Sequence, residues 1–171
     1  LAENGRMATI LPHGVLFRGS SEEKIRQQII EMNLLDAVIG LPEGLFFGTN
    51  IPACIMLFKK DRKRKDVLFI DASGEGNYEK GKNQNKLREE DLQRIMNTYE
   101  KYETIEKYSY VATVDEIKEN DFNLNIPRYV DTFEEEEQVN MEQVKENISS
   151  IKQELQEVEE QMKQYLSDLG L

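Results

Sequence analysis

Residues 34–58 read LLDAVIGLPEGLFFGTNIPACIMLF. Two apolar runs, Leu34–Leu41 and Ala53–Phe58, flank the proline-bounded stretch Pro42–Pro52. A parallel return between strands takes a crossover of roughly a dozen or more residues, usually helical. A stretch that opens and closes on proline and holds Gly44 and Gly48 has no room for that helix. The second run is therefore expected to come back antiparallel to the first.

Upstream, Met7–Leu11 (MATIL) is a short apolar strand stopped by Pro12 and Gly14. Ser20 and Glu23 have the spacing of a capping box, and Ile25, Ile29 and Met32 follow at helical intervals. Strand, helix and the Leu34–Leu41 strand make a βαβ unit, expected to be parallel with a right-handed crossover. Downstream, Lys59–Asp66 is short and polar, and Val67–Ile70 (VLFI) is another strand. The expected sheet is parallel and finishes in an antiparallel hairpin, the edge topology of a Rossmann-like methyltransferase as opposed to a dehydrogenase. Residues 71–86 read as a loop, and Gly74-Glu75-Gly76 has no helix start behind it to make a phosphate cradle. Arg88–Tyr102 is helical, with Leu92, Ile95, Met96 and Tyr99 on one face. Thr113 and Glu116 form a second capping box, and Asn123–Val130 is expected to be extended, because Pro127 disfavours helix at Ile126.

Composition narrows the function. Of 171 residues, 32% are charged and 39% hydrophobic, and no apolar run approaches the roughly 20 residues of a membrane span. A single cysteine, Cys54, excludes an internal disulfide and any cysteine cluster, and reads as a small buried hydrophobe. A single histidine, His13, leaves too few soft ligands for a transition-metal site. The compartment expected is a reducing cytoplasm. The net charge of −11 is uneven: residues 1–65 carry +3, residues 66–130 carry −5 and residues 131–171 carry −9. Phosphate contact depends on Lys and Arg, so any DNA surface belongs in the first third.

The tail has the most regular spacing. Met141, Val144, Ile148, Ile151, Leu155, Val158, Met162, Tyr165 and Leu169 alternate intervals of three and four, a heptad seam. A lone helix cannot bury so narrow a stripe, so it docks either on its own domain or on a helix of another chain.

Gly5–Phe17 (GRMATILPHGVLF), Leu35–Pro42 (LDAVIGLP), Phe46–Ala53 (FFGTNIPA), Phe69–Ser73 (FIDAS) and Asn125–Tyr129 (NIPRY) together resemble adenine-N6 DNA methyltransferases. More narrowly, they are similar to the modification (M) subunit of type I restriction–modification systems. The resemblance covers about residues 4–130. It implies the C-terminal half of a Rossmann-like α/β methyltransferase fold, residues 1–130, followed by an acidic coiled-coil-type helix, residues 131–171, for assembly. The family's glycine-containing S-adenosylmethionine loop and its Asn/Asp-Pro-Pro-Tyr/Phe motif do not occur, and no Pro-Pro pair exists in the chain. A chain that starts at Leu1 is thus expected to be a piece of a longer subunit, inactive alone, its cofactor held by the missing front half. The resemblance implies a specificity subunit, a second M subunit, a restriction subunit and DNA as partners. The alternatives are a non-catalytic scaffold that binds through the tail and a stand-alone methyltransferase half.

Phe46 and Phe47 match the family position where an aromatic ring packs on the target base; the other reading places them in the core under their loop. His13, in the turn after the first strand, and Asn50 are candidate DNA contacts, against an exposed loop histidine and a loop-fixing amide. Lys59, Lys60, Arg62, Lys63, Arg64 and Lys65 put six cations in seven positions. They read as phosphate contacts or as a solvated turn that guards a sheet edge.

Overall fold

The computed structural model describes residues 2–132 and 141–168. The chain divides into two compact units, Leu1–Phe133 and Glu134–Leu171. The first unit contains β1 (Arg6–Pro12), α1 (Ser21–Glu31), β2 (Leu35–Gly40), β3 (Ala53–Lys59), β4 (Val67–Asp71), α2 (Glu89–Lys101), β5 (Ser109–Ala112) and α3 (Val114–Glu119). The second contains α4 (Met141–Asp168).

The five strands form one mixed sheet in the order β1-β3-β2-β4-β5. β3 is antiparallel to β2, as the short connection requires, and it is antiparallel to β1 as well. Ile55 faces Ile10 on one side and Ile39 on the other. β1 and β2 run in the same direction but are not neighbours, which corrects the expected βαβ pair: β3 lies between them. Nor does an antiparallel hairpin finish the sheet. β3 is interior, and β4 pairs in parallel with β2. β5, a strand the sequence reading missed, closes that side antiparallel to β4.

Side chains alternate across the sheet, so β2 and β4 feed two cores. Val38 and Phe69 pack on one face with Leu16, Ile30, Met56, Ile117 and Ile126. Ile39 and Ile70 pack on the other with Leu68, Ile95 and Tyr108. Phe69 stacks on Tyr129 at 4.0 Å. β2 is buried along its whole length, whereas β1 is largely exposed, with Met7 46% and Ile10 55% accessible.

Local details depart from expectation in two places. Ser20 precedes α1 with φ +61° and its side chain makes no capping bond, so the first capping box does not form. Asn123–Val130 is not extended: Ile126–Arg128 is a 3-10 turn with proline in its first turn, where no amide is needed. Thr113 does cap α3, accepting from the Glu116 amide at 3.2 Å.

Candidate nucleic-acid interface

The carboxyl ends of β1, β2 and β4 lie along one edge of the sheet together with the start of β3, the place where ligands gather in open α/β sheets. A cleft of about 320 Å³ opens there, lined by His13, Glu43, Asp71, Ser73, Tyr78 and Asn125 among others. Each residue has a reason to be there. His13 follows β1 and its amide donates to the Pro52 carbonyl at 3.1 Å, tying the β1 turn to the entry of β3. Asp71 ends β4, and its Oδ1 accepts from the Ser73 amide at 2.9 Å and from Ser73 Oγ at 2.5 Å. Asn125 opens the 3-10 turn that brings Ile126 onto β2.

Gly40 is what allows this closeness. A Cβ there would lie 2.7 Å from Ile126 Cδ1, 3.6 Å from Asp71 Oδ1 and 3.7 Å from His13 Nε2. His13 is half-buried, not the exposed loop histidine that was the alternative. Burial holds its imidazole below the ordinary range, only partly offset by a hydrogen bond to the Ala53 backbone and by the nearby Asp71 charge. Its Nε2 is buried without a hydrogen-bond partner, one of two such side-chain atoms among the described residues, with Glu22 Oε2.

The loop 41–52 carries Phe46 and Phe47 out from the sheet. Phe46 is 38% and Phe47 86% exposed, so neither ring fills the core. Neither lines the cleft. Asn50 is exposed on the same loop, its Oδ1 near Gly44, which adopts φ +61°. The loop is anchored by Asn85, whose amide nitrogens donate to the carbonyls of Gly44 and Glu43 at 2.9 and 2.8 Å, and by Gln84, which donates to the Leu45 carbonyl at 2.7 Å.

The basic run is elsewhere. It leaves the far end of β3, while His13, Asn50 and the phenylalanines sit at its start. Seven residues at about 3.3 Å each separate the two ends by roughly 20 Å. Arg62 is not available to a phosphate at all. Its side chain is 1% exposed, and its Nε donates to Asp36 Oδ1 at 2.8 Å. It also donates to Asn33 Oδ1 at 2.9 Å and to the Asp66 carbonyl. Tyr99 donates to Asp36 Oδ2 at 2.5 Å, and Tyr102 bridges the carbonyls of Asp36 and Asp66. Burial pushes both phenols up to about 12. Arg62 thus serves the fold, and Arg64 lies over the Tyr102 ring at 3.9 Å. Of the remaining cations, Lys59 and Lys63 line a second cleft of about 520 Å³ with Arg6 and Arg64, and Lys65 lines another beside Asp66 and Thr113.

The sequence reading missed Asp71, Ser73, Tyr78 and Asn125 as companions of His13, because they are 58–112 positions away. The one available signal was an acid directly after the apolar run VLFI. On α4, Ile148, Ile151, Leu155, Val158, Met162 and Tyr165 are all exposed. Leu169 and the side chains of Met141 and Val144 lie outside the described residues. Among the described residues no helix is long and apolar enough to cross a membrane.

A Cβ at Gly76 would meet open space, and one at Gly14 would meet the Arg18 side chain, so neither of these two turns needs glycine for a ligand's approach.

Comparison with known proteins agrees with the resemblance. The chain is 35% identical over 170 residues to the type I restriction enzyme MjaVII methylase subunit of Methanocaldococcus jannaschii, covering 96% of this chain and 29% of that protein. It is 34% identical to the HindI methylase subunit of Haemophilus influenzae, over 99% of this chain and 41% of that protein. The crystal structure of a type I restriction–modification methyltransferase subunit from Streptococcus thermophilus superposes with a TM-score of 0.72. It shares 51% identity and matches 75% of this chain and 27% of its own. The chain therefore spans well under half the length of these relatives. Residues 1–138 match the N-6 DNA methylase description, and the chain belongs to that family.

Proposed function

We propose that this chain is the C-terminal part of the M subunit of a type I restriction–modification enzyme. The complete subunit transfers a methyl group from S-adenosylmethionine to adenine N6 in DNA, and the portion outside this chain holds the cofactor and the catalytic tetrapeptide. The observation that carries this reading is β1. It is an apolar strand with an open edge, exposed on both faces at Met7 and Ile10, in a chain about a third the length of its relatives. Natural edge strands are guarded by charge, proline or a bulge, and a bare one implies a missing neighbour. The sheet is then the back part of a Rossmann-like fold, continued on the far side of β1.

In this reading Phe47 and Phe46 form the outer wall against a base turned out of the duplex, a contact that contributes roughly 1–3 kcal/mol per base. His13 and Asn50 lie on the same side of the sheet and face DNA. The α4 seam pairs in coiled-coil fashion with helices of the specificity subunit, in an assembly with a second M subunit and, for cleavage, the restriction subunit.

The test is methyl transfer from labelled S-adenosylmethionine to DNA carrying the recognition sequence. The complete subunit with its specificity partner is expected to label DNA, and residues 1–171 alone to label none. Transfer by the short chain, or none by the whole assembly, overturns the proposal.

A further inference from the structure

We infer that Asn85 and Gln84 are positioning residues for methyl transfer: from the connection between β4 and α2 they clamp the backbone just before Phe46, and so set where the two exposed rings stand against the turned-out base. This rests on the reading of Phe46 and Phe47 as the outer wall of the base site, and adds to it the residues that hold that wall.

Three observations converge. First, the loop is gripped at three successive carbonyls and then released. Asn85 Nδ2 donates to the Glu43 carbonyl at 2.8 Å, the Asn85 backbone amide to the Gly44 carbonyl at 2.9 Å, and Gln84 Nε2 to the Leu45 carbonyl at 2.7 Å. Leu45 also packs against the core that holds Ile39 and Ile70. Among the described residues no hydrogen bond ties residues 46–51 to another segment. Their own bonds stay inside the loop: the Thr49 amide donates to the Phe46 carbonyl at 3.5 Å, and the Ile51 amide to Thr49 Oγ1 at 3.1 Å. The last fixed point on the way out is therefore the residue immediately before the rings. Second, the clamp is itself fixed. Asn85 Oδ1 accepts from the Gly81 amide at 3.2 Å, which leaves Nδ2 to face Glu43. Glu79 and Lys86 exchange both backbone bonds, at 2.9 and 3.0 Å, and Arg88 donates to the Gly76 carbonyl at 2.6 Å. A Cβ at Gly81 would lie 2.0 Å from the Gln84 carbonyl oxygen, so this turn closes only on glycine. Third, the loop is shaped to meet the clamp. Gly44 adopts φ +61°, and a Cβ there would stand 3.3 Å from Asn85 Nδ2. Phe47, 86% exposed, takes little of its position from packing. Its ring offers a ready surface to a base only if the backbone beneath it is ordered beforehand, so that binding does not pay for that ordering.

The test is turnover of methyl transfer at saturating DNA by the complete subunit assembled with its specificity partner. Gln84→Glu with Asn85→Asp keeps the shape of both side chains and replaces each donor by an acceptor. The pair is expected to lower turnover about tenfold, within the range of a misplaced stacking contact. Gln84→Lys, which keeps an N–H donor at similar reach, is expected to retain most of the turnover that Gln84→Glu loses; an equal loss overturns the assignment. The rings supply the decisive comparison. Phe46→Ala with Phe47→Ala is expected to lose at least as much as the clamp variant. Adding Gln84→Glu and Asn85→Asp to it is expected to cost no more than about twofold further, because the clamp then has no ring left to place. Losses that multiply, or full turnover by the clamp variant, overturn the assignment. A thermal midpoint matching the unmodified subunit separates misplacement from unfolding, and if it drops, Gln84→Glu alone carries the same comparison. If removing both rings leaves turnover unchanged, the base-wall reading falls and the clamp with it; if removing them slows turnover and the losses multiply, only the clamp assignment falls.

Discussion

Replacing Phe47 by alanine isolates a ring that touches little of its own protein. With 86% of the residue exposed, the thermal midpoint of the complete subunit is expected to stay within about 1 °C, while methylation falls roughly tenfold or more, as loss of base stacking requires. Equal losses of stability and activity would return the ring to a structural role. Arg62 is the opposite case. Its guanidinium is buried against Asp36, so Arg62→Met leaves an uncompensated buried carboxylate and is expected to cost about 3–5 kcal/mol in denaturant unfolding. The same cluster sets an alkaline limit. Tyr99 and Tyr102 ionise at about 12 in the folded chain against about 10 unfolded. The unfolded state therefore releases these protons first as pH rises. Their contribution is complete below pH 10 and is lost between about 10 and 12, so melting at pH 9 and pH 11.5 should show a falling midpoint. Tyr99→Phe with Tyr102→Phe should flatten that fall. These residues also mark where sequence reading stops. Arg62 was one cation among six, and only the fold shows that it faces Asp36, 26 positions earlier.

At the scale of elements, every expected strand of the sheet was legible, because each is an apolar run bounded by proline, glycine or charge. Their order was not. Which strands become neighbours depends on a pairing that spans more than forty residues, Ile10 with Ile55, and no local pattern announces it. β5 went unread because SYVA is short and half polar. The open edge of β1 yields a paired prediction. Ile10→Lys should raise the solubility of the isolated chain, since it guards a bare edge, and should abolish methylation by the complete subunit, since it puts a charge inside a continuous sheet. Measuring soluble yield and methyl transfer for the one substitution tests both halves. For α4, Ile151→Asp or Leu155→Asp should break association with the specificity subunit in pull-down while the circular dichroism of the sheet unit is retained.

Across the whole sheet unit, charge and candidate chemistry occupy different poles. The lysines at and beyond the end of β3 sit roughly 20 Å from His13, so in the proposed reading they contact the phosphate backbone away from the base being modified. Lys59→Gln with Lys63→Gln and Lys65→Gln should lower the salt dependence of DNA binding by about three ions and leave turnover at saturating DNA unchanged. An unaltered salt slope would assign these residues to protection of the turn. The place of β3 has a last consequence, for biosynthesis. Within this chain β1 and β2 are synthesised before β3, the strand that joins them. A nascent chain stalled just before Ala53 therefore holds β2, buried along its whole length in the finished fold, without the strand that will join it to β1. That pause is where chaperone occupancy on the growing polypeptide should peak, and it should fall once translation passes Lys59 and the tunnel has released it.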